Sequence, residues 1–100
     1  MRRLETLKAL LSLIPMGRVT SYTSLASVMR LHPRAVGRLL ASNDELIKYP
    51  CHRVVRSDGS LGGYALGVEM KRKLLILEGV KFCGNKVCKE SFVDLRSLLS

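Results

Sequence analysis

Cys51 and His52 are adjacent and follow Pro50, and this dipeptide is the part of the sequence best suited to chemistry. A cysteine thiolate is a strong nucleophile, and a neighbouring histidine can accept the thiol proton. That histidine in turn needs a carboxylate to orient it. The sequence offers Asp44, Glu45, Asp58, Glu69 and Glu78 for this role and does not choose among them. A buried cysteine with a purely structural role is the alternative at this point.

Two short helices precede this dipeptide and must help to position whatever it reacts with. The apolar pattern predicts a first helix over Tyr22–Met29 and a second that begins at Pro33 and continues to Ala41. Arg34 and Arg38 are four residues apart and share the outer face of the second helix. Two helices with a tight break form a helix-turn-helix pattern, whose second helix can enter a DNA groove. A helical hairpin with solvated arginines is the alternative from the pattern alone.

The spacing of apolar and turn residues predicts the remaining elements. These are a helix over 1–14, a glycine-rich stretch over 61–67, a helix over 68–78, a hairpin with strands 80–83 and 86–88, and a short closing helix over 92–99. In the glycine-rich stretch the backbone can approach a ligand closely. The predicted fold class is therefore mainly α with a small β-hairpin.

Length and charge limit the function classes. A chain of 100 residues has room for one domain, expected over 1–100, and its apolar runs are too short to span a membrane. Seventeen Lys and Arg against eight Asp and Glu give a net charge of +9, spread over both halves of the chain. Such a domain attracts polyanions, of which nucleic acid is the commonest, although a merely basic surface is the alternative. The cysteine count and the polar start of the chain predict an intracellular, reducing location.

Cys83 and Cys88 flank the turn of the predicted hairpin. A zinc site would need two further ligands, and the only histidines are His32 and His52, so no metal site is expected. A disulfide would fit a hyperthermophilic source, where intracellular disulfides occur, but the turn does not place the two cysteines directly opposite each other. We therefore expect free thiols.

Residues 50–54, Pro-Cys-His-Arg-Val, resemble the active-site motif of the alkylguanine-DNA alkyltransferases, also called methylated-DNA–protein-cysteine methyltransferases. Further matches lie at 18–22, 25–26, 34–37, Asn43, Gly62, Tyr64 and 77–79. The resemblance covers almost the whole chain as the family's C-terminal catalytic and DNA-binding domain. It does not cover the family's N-terminal domain, which we expect to be absent.

The resemblance implies a winged helix-turn-helix domain that repairs double-stranded DNA. Such a domain binds the minor groove, flips out an alkylated guanine and transfers the alkyl group from guanine O6 irreversibly to Cys51. In the family's pattern His52 deprotonates Cys51 through a water, Glu78 orients His52, and Asn43 braces the turn that carries the cysteine. Direct displacement at a saturated carbon needs no cofactor, and none is expected.

The resemblance also assigns residues to the flipped base and to DNA. Arg34 matches the residue that fills the hole left by the base, and Tyr22 matches the one that contacts it. The guanine pocket is expected to involve Tyr22, Val54, Tyr64 and Ala65. The expected DNA contacts are Thr23, Arg34, Ala35, Gly37, Arg38 and Ser57. Ala65 stands where the family commonly has a serine, which removes a side-chain contact.

Two other functions remain open at this point. One is an alkyltransferase-like protein that binds alkylguanine and flags it without transfer, but such proteins usually carry another residue in place of Cys51. The other is a winged-helix transcription regulator, which has no use for a cysteine, a histidine and a glutamate arranged for catalysis. In each case we expect a monomer that is cytoplasmic, or nuclear in a eukaryote, and not secreted.

Overall fold

The computed structural model of the chain describes residues 3–45 and 48–99. The helices in these ranges are α1 (Arg3–Leu11), α2 (Tyr22–Met29), α3 (Pro33–Ala41), α4 (Val68–Leu77) and α5 (Leu95–Leu99). The strands in the same ranges are β1 (Thr20–Ser21), β2 (Val54–Val55), β3 (Phe82–Cys83) and β4 (Lys86–Val87). Short 3-10 turns cover Cys51–Arg53 and Lys89–Ser91. The fold is mainly α with a small β-hairpin, as predicted, and no helix in the described ranges is long and apolar enough to cross a membrane.

Helices α2 and α3 have the predicted bounds, and local capping explains where each begins. The Ser21 hydroxyl accepts a hydrogen bond of 2.9 Å from the amide of the third residue of α2. After α2 the backbone of Arg30 is left-handed, with φ 57°, which turns the chain. His32 Nδ1 accepts a 3.1 Å hydrogen bond from Arg34 N, and Pro33 occupies the first position of α3. The two helices form the predicted helix-turn-helix.

A two-stranded parallel ladder joins this helix pair to the segment that carries Cys51, and the sequence patterns do not predict it. Thr20 of β1 lies opposite Val54 of β2, and Ser21 lies opposite Val55. Parallel strands need a long crossover connection, and α2 and α3 lie in that connection. Because β1 leads directly into α2 and β2 follows the Cys51–Arg53 turn, the ladder holds the start of α2 beside the cysteine.

The core has two parts that meet at β2. The first contains Leu7, Leu11, Ile14, Leu25, Val36 and Val54. The second contains Val19, Val55, Leu61, Leu75 and Val87. Val54 and Val55 are consecutive in a strand, so their side chains point to opposite faces and each part of the core receives one.

Three predicted helix bounds differ from the structure. α1 ends at Leu11, because the chain tightens into three-residue turns that still bury Ile14; residues 1–2 of the predicted helix lie outside the described residues. α4 ends at Leu77, with Glu78 as its cap. α5 does not include Phe92, because that residue forms a parallel bridge with Val19.

The hairpin forms within the predicted residues, with strands shorter than the predicted 80–83 and 86–88, but the expectation of free thiols at Cys83 and Cys88 is wrong. Phe82 pairs with Val87 and Cys83 pairs with Lys86, so the two cysteines are not directly opposite. Cys88 nevertheless lies one residue beyond β4, where its Cα is 5.1 Å from that of Cys83, and the two form a disulfide. This separation is within the range that a disulfide spans, so direct cross-strand pairing is not required.

Candidate active site

Cys51 opens the 3-10 turn after Pro50, and its side chain is buried at one end of a cavity. Asn43 Nδ2 lies 2.7 Å from Cys51 Sγ and donates a hydrogen bond to the sulfur. An amide N–H directed at a sulfur stabilises the thiolate more than the thiol. The structure therefore places a hydrogen-bond donor where an ionised Cys51 needs one.

Asn43 lies just beyond the C-terminal end of α3 and links that end to the active-site turn. Its Nδ2 also donates to the carbonyl of Tyr49 at 3.0 Å, and its Oδ1 accepts from Glu45 N at 3.0 Å. The side chain is buried, and its amide group bonds to the chain on both sides of residues 46–47. Asn43 thus connects the helix-turn-helix to the nucleophile through short contacts.

His52 contacts Glu78, so the structure selects one of the five candidate carboxylates. His52 Nε2 is 3.0 Å from Glu78 Oε1. With Nε2 donating to the carboxylate, Nδ1 is the acceptor nitrogen, and this buried atom has no hydrogen-bond partner among the described residues. A histidine held in this tautomer is able to accept a proton at Nδ1.

Arg53 fixes the carboxylate from the other side. Its Nε donates to Glu78 Oε1 at 2.9 Å and its Nη2 donates to Glu78 Oε2 at 2.7 Å. Its Nη1 donates to the Ile14 carbonyl at 2.8 Å. A bidentate arginine sets both the position and the plane of a carboxylate. Glu78 is therefore oriented before it orients His52.

Burial and hydrogen bonding set the charge states of this group. Burial raises the pKa of the Cys51 thiol, and the Asn43 hydrogen bond and the Lys71 charge oppose that rise. Burial lowers the pKa of His52, although Glu78 opposes the change. Burial alone would raise the pKa of Glu78, but hydrogen bonds from Arg53 and His52 outweigh it and lower that pKa. At neutral pH the arrangement is a protonated thiol, a neutral histidine and an ionised glutamate.

A cavity of about 880 Å³ opens in front of Cys51. Of the site residues predicted from the sequence, those that line this cavity are Tyr22, Thr23, Arg34, Gly37, Cys51, Ser57, Tyr64 and Ala65. Burial raises the pKa of Tyr22 and of Tyr64, so both phenols keep their protons and can donate hydrogen bonds. The backbone at Gly62 packs closely against Tyr22, since a Cβ on Gly62 would lie 2.8 Å from the Tyr22 hydroxyl oxygen. The cavity wall thus combines the Cys51 thiol, two tyrosine side chains and closely packed backbone.

Other predicted site residues lie outside the cavity. Val54 is fully buried in the core within β2 and does not line the cavity. Asn43, His52 and Glu78 lie behind Cys51 and contact it or each other. Ala35 is half-buried and Arg38 is exposed on α3, and neither reaches the cavity wall.

Lys71 is a residue of this region that the sequence reading did not identify. Its side chain is fully buried, and its Nζ donates to the Gly63 carbonyl at 3.1 Å and contacts the Tyr22 hydroxyl at 3.5 Å. Burial lowers the pKa of Lys71 from 10.5 to about 8. The spacing in the sequence indicates that Lys71 is buried, because it stands four residues before Leu75 and so lies on the buried face of α4. Arg56 is a second unpredicted residue, and it lines the cavity.

Cys83 and Cys88 are bonded to each other. No group of three or more His, Cys, Asp or Glu side chains in the described residues is close enough to hold a metal ion. Within the same residues Cys51 is the free cysteine.

The chain matches the family described as 6-O-methylguanine DNA methyltransferase, DNA binding domain, over residues 4–80. The chain belongs to this family. A relative from Pyrobaculum aerophilum, a methylated-DNA–protein-cysteine methyltransferase, is 53% identical over 76 residues, which make up 76% of this chain and 51% of the relative. This chain therefore spans about half the length of the curated relatives of the family that it matches.

Solved structures of the family agree in fold. The O6-methylguanine-DNA methyltransferase of the hyperthermophilic archaeon Pyrococcus kodakaraensis superposes with a TM-score of 0.74 at 38% identity, over 80% of this chain and 47% of that one. The Mycobacterium tuberculosis OGT in complex with DNA gives a TM-score of 0.74 at 29% identity, over 100% of this chain and 57% of that one. The second superposition includes the hairpin and α5, which lie beyond the part that the family description matches.

Proposed function

We propose that this chain repairs DNA by moving an alkyl group, such as methyl, from O6 of guanine to Cys51. One observation carries the proposal: a cysteine at the end of an open cavity has an amide donor on its sulfur and an oriented His52–Glu78 pair behind it. The names of the relatives, at about half identity, support the same activity. Because the chain spans only about half of those relatives, the activity must be tested on this chain itself.

The proposed reaction is a single displacement at a saturated carbon. His52 accepts the Cys51 proton at Nδ1 through a water, and Glu78 stabilises the imidazolium that forms. The thiolate then attacks the alkyl carbon, forming a C–S bond while the C–O6 bond breaks. The electron pair of that bond stays on the guanine, which takes up a proton. The thioether product is stable, so each molecule reacts once and no cofactor is required.

DNA binding through α3 brings the base to the cysteine in this proposal. Flipping a base costs a few kcal/mol of stacking and pairing, which a side chain inserted into the stack offsets in part. Arg34 is exposed at the start of α3 and also lines the cavity, so it lies where an inserted side chain is needed. Thr23, Gly37 and Ser57 also line the cavity. A net charge of +9 supports binding to phosphates and predicts a steep salt dependence.

Intact-protein mass after incubation with duplex DNA tests the proposal. The duplex contains one O6-methylguanine, and an unmodified duplex and the Cys51→Ala variant are the controls. A gain of one methyl group, confined to the unsubstituted protein and located at Cys51, is the expected result. Lesion-selective binding without any mass gain would instead identify a protein that flags the lesion. Equal binding to both duplexes, with no mass gain, would favour a regulator that reads ordinary DNA.

A further inference from the structure

We propose that the disulfide-closed hairpin, residues 82–88, positions the cavity wall at Arg56–Ser60, so that reduction of Cys83–Cys88 weakens acceptance of the flipped base. This inference rests on the proposed function, because it assigns the cavity to an alkylated guanine. It concerns a segment beyond residues 4–80, the part of the chain that the family description matches.

The hairpin and the turn at residues 56–60 are in direct contact. Val87 N donates a 2.8 Å hydrogen bond to the Gly59 carbonyl. Gly59 has φ +92°, and a Cβ on it would lie 2.5 Å from the Val87 carbonyl oxygen, so backbone packs on backbone here. Lys86 Nζ forms an ion pair of 3.5 Å with Asp58 Oδ2. The turn therefore rests on β4 through a hydrogen bond, close packing and one ion pair.

The same turn forms one wall of the cavity. Arg56, Ser57 and Asp58 all line it. Internal bonds make the turn a unit, since Arg56 N donates to the Ser60 carbonyl at 2.9 Å and Gly59 N donates to the Arg56 carbonyl at 2.9 Å. A shift of β4 is therefore transmitted to the wall as a movement of the whole turn.

The disulfide reinforces the hairpin alongside its backbone hydrogen bonds, which include one from Cys88 N to the Lys81 carbonyl at 2.9 Å. The ladder between β3 and β4 has only two residue pairs, and an isolated two-stranded hairpin is marginally stable at best. Cys83 and Cys88 close this short ladder covalently, and Cys83 is exposed and open to attack by a thiol. Val87 anchors the hairpin in the second part of the core, so reduction loosens the hairpin without unfolding the domain. The position of Gly59 and Asp58 then becomes less well defined.

The chemical step is ordinary thiol–disulfide exchange with a dithiol reductant. The reductant's first thiolate attacks one sulfur of the disulfide, forming a mixed disulfide and releasing the other cysteine as a thiolate, and its second thiolate then displaces the cysteine held in the mixed disulfide. Two protons complete the two protein thiols, and the reductant leaves as a cyclic disulfide. Cys51 is already a free thiol, so the same treatment leaves it unchanged.

Binding measured on the Cys51→Ala variant tests the inference without any transfer reaction. Fluorescence anisotropy gives Kd for a duplex with one O6-methylguanine and for the matched unmodified duplex, before and after treatment with dithiothreitol. We expect reduction to weaken binding of the methylated duplex about tenfold, equal to about 1.4 kcal/mol, with a much smaller change for the unmodified duplex. Unchanged preference for the methylated duplex after complete reduction would overturn the inference.

Two sets of variants, each made in the Cys51→Ala background, separate this effect from loss of folding and from loss of charge. Cys83→Ser with Cys88→Ser should behave as the reduced protein does and should not respond to dithiothreitol. Lys86→Gln keeps the disulfide but loses the ion pair to Asp58, whereas Lys89→Gln removes the same charge from an exposed position in the following turn. We expect Lys86→Gln alone to reduce the preference for the methylated duplex. Equal effects of the two lysine variants would assign Lys86 a general electrostatic role and contradict the inference.

The outcome is distinguishable from the test of the proposed function. Methyl transfer by the oxidised, unsubstituted protein is measured separately by mass. If transfer fails but the methylated duplex is bound selectively, the effect of reduction on that selectivity still decides the role of the hairpin. If the oxidised Cys51→Ala protein shows no preference for the methylated duplex, this inference fails, whereas the proposed function is decided by the methyl transfer measured by mass.

Discussion

Arg53 and Glu78 form a two-point ion pair, with Nε 2.9 Å from Oε1 and Nη2 2.7 Å from Oε2. His52 shares Oε1 of the same carboxylate at 3.0 Å. The base next to the nucleophile is therefore oriented by a carboxylate that is itself held in place. Through these contacts a glutamate at the end of α4 is linked to the histidine beside Cys51.

Glu78→Gln should slow methyl transfer by about a hundredfold, the lower end of what a general base contributes. The amide cannot stabilise an imidazolium as a carboxylate does, so His52 becomes a weaker base. Single-turnover transfer to the protein, followed by mass against time, measures the rate constant. Glu69→Gln is the matched control, because Glu69 is exposed in the first turn of the same helix. A Glu78→Gln rate within a factor of two of the control would remove Glu78 from the mechanism.

Asn43→Ala should raise the pKa of the Cys51 thiol further. The hydrogen bond from Asn43 lowers that pKa against the effect of burial, so its loss moves the ionisation to higher pH. The measurement is the rate of Cys51 carbamidomethylation by iodoacetamide as a function of pH. The half-maximal rate should shift to higher pH in Asn43→Ala. It should stay in place in Asn85→Ala, since Asn85 is exposed in the hairpin turn.

Lys71→Met should stabilise the fold at neutral pH, and the gain should shrink as the pH rises. Burial lowers the pKa of Lys71 from 10.5 to about 8, so between these values the unfolded chain binds more protons than the folded one. Stability contributed by this group therefore rises with pH over that window. The raised pKa of Tyr22 makes stability fall with pH at higher pH, and the Cys51 and Arg56 charges also affect the pKa of Lys71. The informative quantity is therefore the difference in unfolding free energy between the unsubstituted protein and Lys71→Met.

Urea unfolding of the unsubstituted protein and of Lys71→Met from pH 7 to 10 measures this difference. At 1.36 kcal/mol per pKa unit, the free energies of unfolding should differ by up to roughly 3 kcal/mol at pH 7 and by much less at pH 10. Lys73→Met serves as the control, because Lys73 is exposed on the same helix. A constant difference across this range would show that Lys71 does not titrate with a lowered pKa.

Gly62→Ala should displace Tyr22 and weaken lesion-selective binding. The added Cβ would lie 2.8 Å from the Tyr22 hydroxyl oxygen, and φ +70° is unfavourable for alanine, at a cost of about 1–2 kcal/mol. Gly63→Ala is a close control, because a Cβ there has no atom within 4 Å. Thermal unfolding and Kd for a methylated duplex should change in Gly62→Ala far more than in Gly63→Ala. Equal Kd values for the two variants would show that the wall at Gly62 does not position Tyr22.

The sequence was most informative where the signals are local. The bounds of α2 and α3 follow from a Ser cap, a proline and apolar spacing, all within a few residues of each helix. The contact between His52 and Glu78 spans 26 positions, so spacing alone left five carboxylates open and only the family resemblance indicated one. The fold resolves the question because α4 ends beside the Cys51–Arg53 turn.

Three features of the structure are not predicted from the sequence, each for a physical reason. The strands β1 and β2 have two residues each, too few for an alternating pattern to be seen. Lys71 looks like a surface residue by type, although its helical position is internal. Cross-strand register favours free thiols over a disulfide, but Cys88 lies outside the ladder, where register does not apply.

The two residue pairs between β1 and β2 fix the start of α2 relative to the turn that holds Cys51. Tyr22 directly follows β1, and β2 directly follows the turn that holds Cys51. The ladder between β1 and β2 therefore sets the distance between the Tyr22 hydroxyl and the Cys51 thiol. The length of the loops around the cavity therefore does not alter the distance between the Tyr22 hydroxyl and the Cys51 thiol. We therefore expect lengthening at Leu66, which is exposed and follows the wall residues Tyr64 and Ala65, to change the shape of lesion admitted while Tyr22 and Cys51 keep their separation.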